Sequence, residues 1–162
     1  MNILLWLLPS AAIIHIVEEF VFPGGFTVWY RNYKHTVSPS FTVKYLVNVN
    51  VLLVVLCILP LVLDVLNRDA LWLSMASVVF VNAFFHIRGA IVEKRYVPGV
   101  VSSIVVYIPL ALYGYWYFLS VEKVAIEQVV VSGSVGVGYW LFSAFNHKRR
   151  AKKLANQEKQ AA

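Results

Sequence analysis

Apolar residues fill five long blocks of this chain, and polar residues collect between them. The blocks run over about 3–22, 41–66, 70–93, 100–121 and 124–146. Each is close to the roughly 20 residues that a helix needs to cross a bilayer at 1.5 Å per residue. None has the strict alternation of a barrel strand, and lipid admits only helices and closed barrels, because the backbone must satisfy itself there. The pattern predicts an all-α integral membrane protein: a multi-pass bundle of five transmembrane helices over 1–146, with a basic tail over 147–162. The first block has no basic leader and contains His15, Glu18 and Glu19, so it reads as a retained span and not as a cleaved signal.

Composition supports that frame. The 162 residues are 60% apolar and 14% charged, with a mean hydropathy of +0.71; an average soluble domain is roughly 25% charged. Disorder, collagen-like repeats and disulfide-stapled modules are excluded. Cys57, the one cysteine, stands among Val, Leu and Ile and reads as a small apolar residue.

Charge sets the orientation. Six of the fourteen Lys and Arg fall in the last fifteen residues: Lys148, Arg149, Arg150, Lys152, Lys153 and Lys159. With this tail in the cytoplasm, Arg31, Lys34, Lys44, Arg88, Lys94 and Arg95 also fall inside, and only Arg68 and Lys123 fall outside. The expected topology is therefore N-out/C-in, in a cell membrane, with the tail against anionic lipid. The tail lacks interleaved aromatics, which argues against a nucleic-acid partner. The long loop 23–40 reads as an interfacial segment with Trp29 and Tyr30 at headgroup level. Asp64 and Glu93, near span ends, read as interfacial. In the fifth block, Ser132/Gly136 and Ser134/Gly138 are small-xxx-small pairs suited to a partner helix or an oligomer. No strand precedes them, so a nucleotide loop is not expected.

A few span residues do not fit apolar packing. His15, Glu18 and Glu19 lie at i, i+3 and i+4 on one helix face. Each ionisable group in a bilayer costs about 2.5–3.5 kcal/mol on insertion scales. Asn82 and His86 are again i and i+4, and the second block holds Asn48 and Asn50. In the expected topology Glu18 lies about 6 Å from the inner end of its span, and Asn48 and His86 about 10 Å from theirs. Tyr107 and Ser143 reach a similar level. The sets converge on one buried layer in the cytoplasmic half.

Imidazole nitrogens and carboxylate oxygens are ligands for zinc, iron or manganese. The expected metal ligands are drawn from His15, Glu18, Glu19 and His86: the two imidazoles and one of the two acids, with one position open for water. Glu19 is a ligand or the general base, the two acids being interchangeable on sequence grounds, and Asn48 and Asn82 orient substrate or ligands. Two carboxylates are too few for a di-iron site, which uses four. Arg88 either snorkels away from His86 or pairs with Glu18 or Glu19. His35 and His147 read as solvated or snorkelling.

The string His15-Ile-Val-Glu18-Glu19-Phe, followed by Pro23-Gly24-Gly25-Phe26 and Trp29, resembles the opening of the HXXEE-motif family of small membrane proteins. Asn82-Ala-Phe-Phe-His86 and Tyr96-Val-Pro98-Gly99 are similar to its later motifs, with Val97 where a polar residue such as Asn is expected. The resemblance covers about 11–110 and implies a polytopic prokaryotic-type membrane protein, without a settled activity. Together these features lead to a metal-dependent enzyme acting on a lipid or hydrophobic small molecule. The alternatives are a metal-free acid/base isomerase, a carrier, and a non-enzymatic helix-bundle subunit.

Overall fold

The structure, a computed structural model, describes residues 3–63 and 67–161, with the side chains of Ser38 and of 158–161 left aside. Asp64 and the last turn of the expected second span lie outside the described residues. Those described are helical, with no strand among them. They form α1 (Leu4–Phe20), α2 (Phe26–Tyr33), a 3-10 segment (His35–Ser40), α3 (Val43–Val62) and α4 (Arg68–Glu93). There follow α5 (Val100–Ser102), a π-helical turn (Ser103–Tyr107) and α6 (Ile108–Ser120), which run on as one rod, and then α7 (Ile126–Ala161).

α4 is the central element, packed against α1, α3, α6, α7 and the π turn. The Trp72 indole N–H donates to the Leu4 carbonyl at 2.9 Å, and its ring occupies the space that the missing side chain of Gly114 leaves. Against α7, Ser77 Oγ donates to the Ser132 carbonyl at 2.6 Å, and Gly136 lets the backbones close over Ser77. The Ser132/Gly136 pair therefore joins α7 to α4 within the chain. Ser134 and Gly138 face outward.

The outer surface is apolar. Val105 is 65%, Trp116 62% and Phe142 66% exposed, whereas His15, Glu19 and His86 are buried. Four helical stretches, Val43–Val62, Arg68–Glu93, Val100–Ser120 and Ile126–Gln157, are long and apolar enough to cross a membrane. The sequence pattern suggests five. α1 has 17 residues, about 26 Å at 1.5 Å per residue, somewhat short of a hydrocarbon core of about 30 Å.

Three local expectations change. The fifth helix extends into the basic tail: α7 has 36 residues, about 54 Å, and runs well past its apolar block. His147, expected to be solvated, is buried. Its ring stacks on Phe41 at 4.4 Å and its Nδ1 lies 2.9 Å from Ser40 Oγ. The 3-10 segment folds back over α7 at this point, and Arg150 donates to the Ser40 carbonyl at 3.2 Å. Finally, Trp29 and Tyr30 are interior residues, packed with Phe26, Phe41, Leu46, Val97 and Val100 in a second apolar cluster. Gly89 makes room for the Trp29 ring, since a Cβ there would come within 2.6 Å of it.

Candidate metal centre

α1 and α4 supply the polar core. The i, i+4 spacing puts His15 and Glu19 on one face of α1, and Asn82 and His86 on the facing side of α4. Glu19 Oε1 lies 3.2 Å from His86 Nε2 and 3.5 Å from His15 Nε2. One ligand atom from each of the three residues lies within 4.8 Å of the other two, and all three residues are buried. Asn82 Nδ2 stands 3.3 Å from His15 Nε2 and 3.5 Å from His86 Nε2.

The far sides of the imidazoles determine what faces inward. His86 Nδ1 lies 2.7 Å from the Pro98 carbonyl. A carbonyl only accepts, so Nδ1 carries the proton and neutral His86 turns a bare lone pair at Nε2 toward Glu19. His15 Nδ1 lies 2.8 Å from Ser102 Oγ, which in turn donates to the Gly99 carbonyl at 3.3 Å. Of the two tautomers this allows, the one in which the serine accepts from His15 Nδ1 leaves His15 Nε2 bare as well, and the other has its Nε2–H donating to Glu19. Two ring nitrogens and a carboxylate oxygen thus converge, an arrangement that a shared proton or a cation between them satisfies. Tying the outer imidazole N–H to a carbonyl or hydroxyl is how proteins orient metal-binding histidines.

The turn 94–99 makes this possible. Gly99 has φ +88°, and a Cβ there would come within 2.7 Å of His86 Cε1 and 2.8 Å of His15 Cε1. Glycine is needed both for the left-handed backbone and for the approach of two rings.

Glu18 goes elsewhere. Its Oε1 accepts from the Tyr96 hydroxyl and the Val101 N–H, each at 3.0 Å, and its Oε2 accepts from the Ser102 N–H at 2.6 Å. The two N–H groups are orphan donors at the start of the 100–120 rod, where Gly99 has no side chain to cap them. Glu18 caps that rod from across the bundle, with its negative charge at the positive end of the helix dipole. Burial and the Glu18 carboxylate together push the Tyr96 phenol above its ordinary value, so the hydroxyl remains a donor.

Not every expected residue arrives. Asn48 is exposed, while Leu46, two residues earlier, is buried. At about 100° per residue the two point nearly opposite ways, so the inward face of α3 belongs to Leu46 and Cys57. Arg88 is exposed and forms no ion pair with Glu18 or Glu19 among the described residues. His35 is exposed and Ser143 half-buried. Tyr107 does arrive: its ring lies 4.4 Å from that of His15. Sequence reasoning missed Ser102 and the Pro98 carbonyl. The signal available was the Pro98-Gly99 turn followed by a helix, which leaves Ser102 in the first turn next to whatever the glycine admits.

No curated protein and no solved structure matches the chain. One family model does, described as a protein of unknown function with HXXEE motif; it matches residues 6–114, more than half of the chain. The matched stretch contains His15, Glu18, Glu19, Asn82, His86, Gly99, Ser102 and Tyr107, so the converging side chains and the turn that holds them all fall inside it. The chain belongs to the HXXEE-motif family, whose function is unknown.

Proposed function

We propose that this protein is a multi-pass membrane metalloprotein whose His15, Glu19 and His86 hold a divalent ion of zinc, iron or manganese, and that it acts as an enzyme on a lipid or other hydrophobic small molecule. The observation that carries this reading is the convergence of the His15 and His86 Nε2 atoms on the Glu19 oxygen, with all three residues buried. Tetrahedral ligands at 2.0–2.1 Å from an ion are separated by about 3.3 Å; the Glu19 contacts of 3.2 and 3.5 Å lie near that value, while the three ligand atoms together spread over up to 4.8 Å, so an ion draws the two imidazoles closer. Three protein ligands leave a position for substrate, as in catalytic rather than structural sites. A bound divalent ion supplies Lewis acidity toward a substrate oxygen. Of the chain's own groups, Asn82 orients the oxygen by amide donation, Glu19 carries the charge that retains the ion, and Trp29, stacked 6.0 Å from the His86 ring, keeps water off the cytoplasmic side.

In this reading α1 also crosses the membrane, locally thinned lipid making up its missing length. That gives five spans, N-out/C-in. Support comes from the grouping of cations at one end. Lys34 and Arg88 repel each other, the Lys34 ammonium being lowered first by burial and then by Arg88, and Arg150 on α7 bonds the loop at Ser40. The outward Ser134/Gly138 pair is left for a partner helix or a second copy.

Equilibrium dialysis of purified, chelator-stripped protein against zinc, iron(II) and manganese(II) tests the metal. The expected result is one ion per chain for at least one of the three. A folded protein that takes up none of them contradicts the reading. A metal-free acid/base site is the second reading, favoured by the Asn82 amide, which already occupies both lone pairs in part. It requires a proton in place of the ion, and the same dialysis separates the two.

A further inference from the structure

Two buried hydroxyls beside the centre have no partner. The Tyr107 phenol and Ser103 Oγ are both fully buried without a hydrogen bond. A buried polar group left unsatisfied costs about 1–3 kcal/mol, and such orphans mark unoccupied work for a ligand or water. Both lie in the π-helical turn Ser103–Tyr107. In a regular α-helix Ser102 and Tyr107 would point about 140° apart. The wider π turn reduces that offset, so Ser102 bonds His15 Nδ1 while the Tyr107 ring lies against the same imidazole. π turns of this kind recur at functional sites.

We propose that Tyr107 is a substrate-binding residue, its phenol donating a hydrogen bond to an uncharged oxygen, carbonyl or hydroxyl, of an apolar molecule held at the His15/Glu19/His86 centre. This deepens the metalloenzyme reading and rests on it for the second partner of that oxygen. The class of ligand follows from what surrounds the phenol. No Lys or Arg bonds any member of the group among the described residues, and Arg88 is exposed, so a phosphate would find no counter-charge beyond the ion. Cys57 and the small, buried Ala11, Ala12 and Ala111 belong to the same apolar core as the Tyr107 ring, so the surroundings of the phenol are apolar and uncharged.

The test compares wild type with Tyr107→Phe in lipid nanodiscs, each zinc-loaded and chelator-stripped. Each is titrated with carbonyl-labelled 2-tridecanone and read by infrared difference spectroscopy, with tridecane as the control. Because the hydroxyl has no partner in the unliganded fold, Tyr107→Phe keeps its zinc and is at least as heat-stable as wild type. Its affinity for the ketone falls about tenfold, and the bound carbonyl stretch moves to higher frequency than in wild type. Equal affinity and equal carbonyl frequency in the two proteins overturn the assignment, as does an absence of saturable ketone binding to wild type. The metal reading fails separately. If wild type takes up no zinc, yet the stripped proteins still differ in carbonyl frequency, Tyr107 stands and the ion does not. If zinc is taken up and ketone binding ignores Tyr107, the ion stands and Tyr107 does not.

Discussion

Glu19→Gln is expected to abolish ion binding while leaving the metal-free fold as stable as wild type or more so. The two effects have one cause. Without an ion, the Glu19 carboxylate faces two imidazole nitrogens at 3.2 and 3.5 Å, and only a captured proton or the Asn82 amide relieves the opposition of lone pairs. Glutamine has the same shape and brings an N–H donor to that position, which removes the conflict and also the charge that holds a cation. Wild type should gain about 2.7 kcal/mol of stability when free metal is a hundredfold above its dissociation constant; Glu19→Gln should gain none. His86→Ala is expected to weaken the ion more than about a hundredfold, since changes outside the ligand set already cost 10–100-fold. It also opens a cavity and leaves the Pro98 carbonyl bare, so it loses stability where Glu19→Gln does not. Thermal unfolding of each variant, with and without metal, reads both quantities. A structural hydrogen-bond cluster predicts another pattern, with stability lost in both variants and no response to metal in any form.

Glu18→Ala is expected to damage the fold more than the ion. It orphans the Val101 and Ser102 N–H groups and the Tyr96 hydroxyl together. Hydrogen bonds to a charged group contribute about 1.5–3 kcal/mol each, and water reaching the partly open Tyr96 side recovers some of that, so a loss of about 3 kcal/mol is anticipated. Metal affinity should fall by a smaller factor, because Ser102 no longer holds His15 Nδ1 firmly. The measurement is a denaturation midpoint alongside a metal titration. A Glu18→Ala protein of wild-type stability that has lost its ion entirely would reverse the roles assigned to the two adjacent acids.

Those roles mark where sequence reasoning stops. Spacing and depth suffice to bring His15, Glu19, Asn82 and His86 to one level, because 1.5 Å per residue converts position into height within a span. Height carries no direction. Asn48 sits at a suitable level, yet it points away because Leu46 and Cys57 take the inward face of α3, and a helix whose apolar residues surround it on every side gives no pattern from which to read that choice. Glu18 and Glu19 are about 100° apart on one helix, and what separates them comes from about 80 residues later: Gly99 cannot cap its own helix and needs a carboxylate from outside. His147 follows the same logic. Its surroundings are built by the 3-10 segment at His35–Ser40, which has no periodic signature. Trp29 and Tyr30 look like interfacial aromatics in the sequence because their burial depends on Gly89 in a distant helix. The helical class is legible throughout, since five apolar blocks leave few other solutions. α1, at 17 residues, is the block whose pattern runs ahead of its length.

Whether His15, Glu19 and His86 hold an ion together is decided by X-ray absorption at the metal edge of the loaded protein, which reports the atoms around the ion. Two imidazole nitrogens at about 2.0–2.1 Å with one carboxylate oxygen in the same shell are expected, and one imidazole fewer in His86→Ala. A shell of oxygen alone, or one unchanged in His86→Ala, would put the ion elsewhere and contradict the three-residue centre.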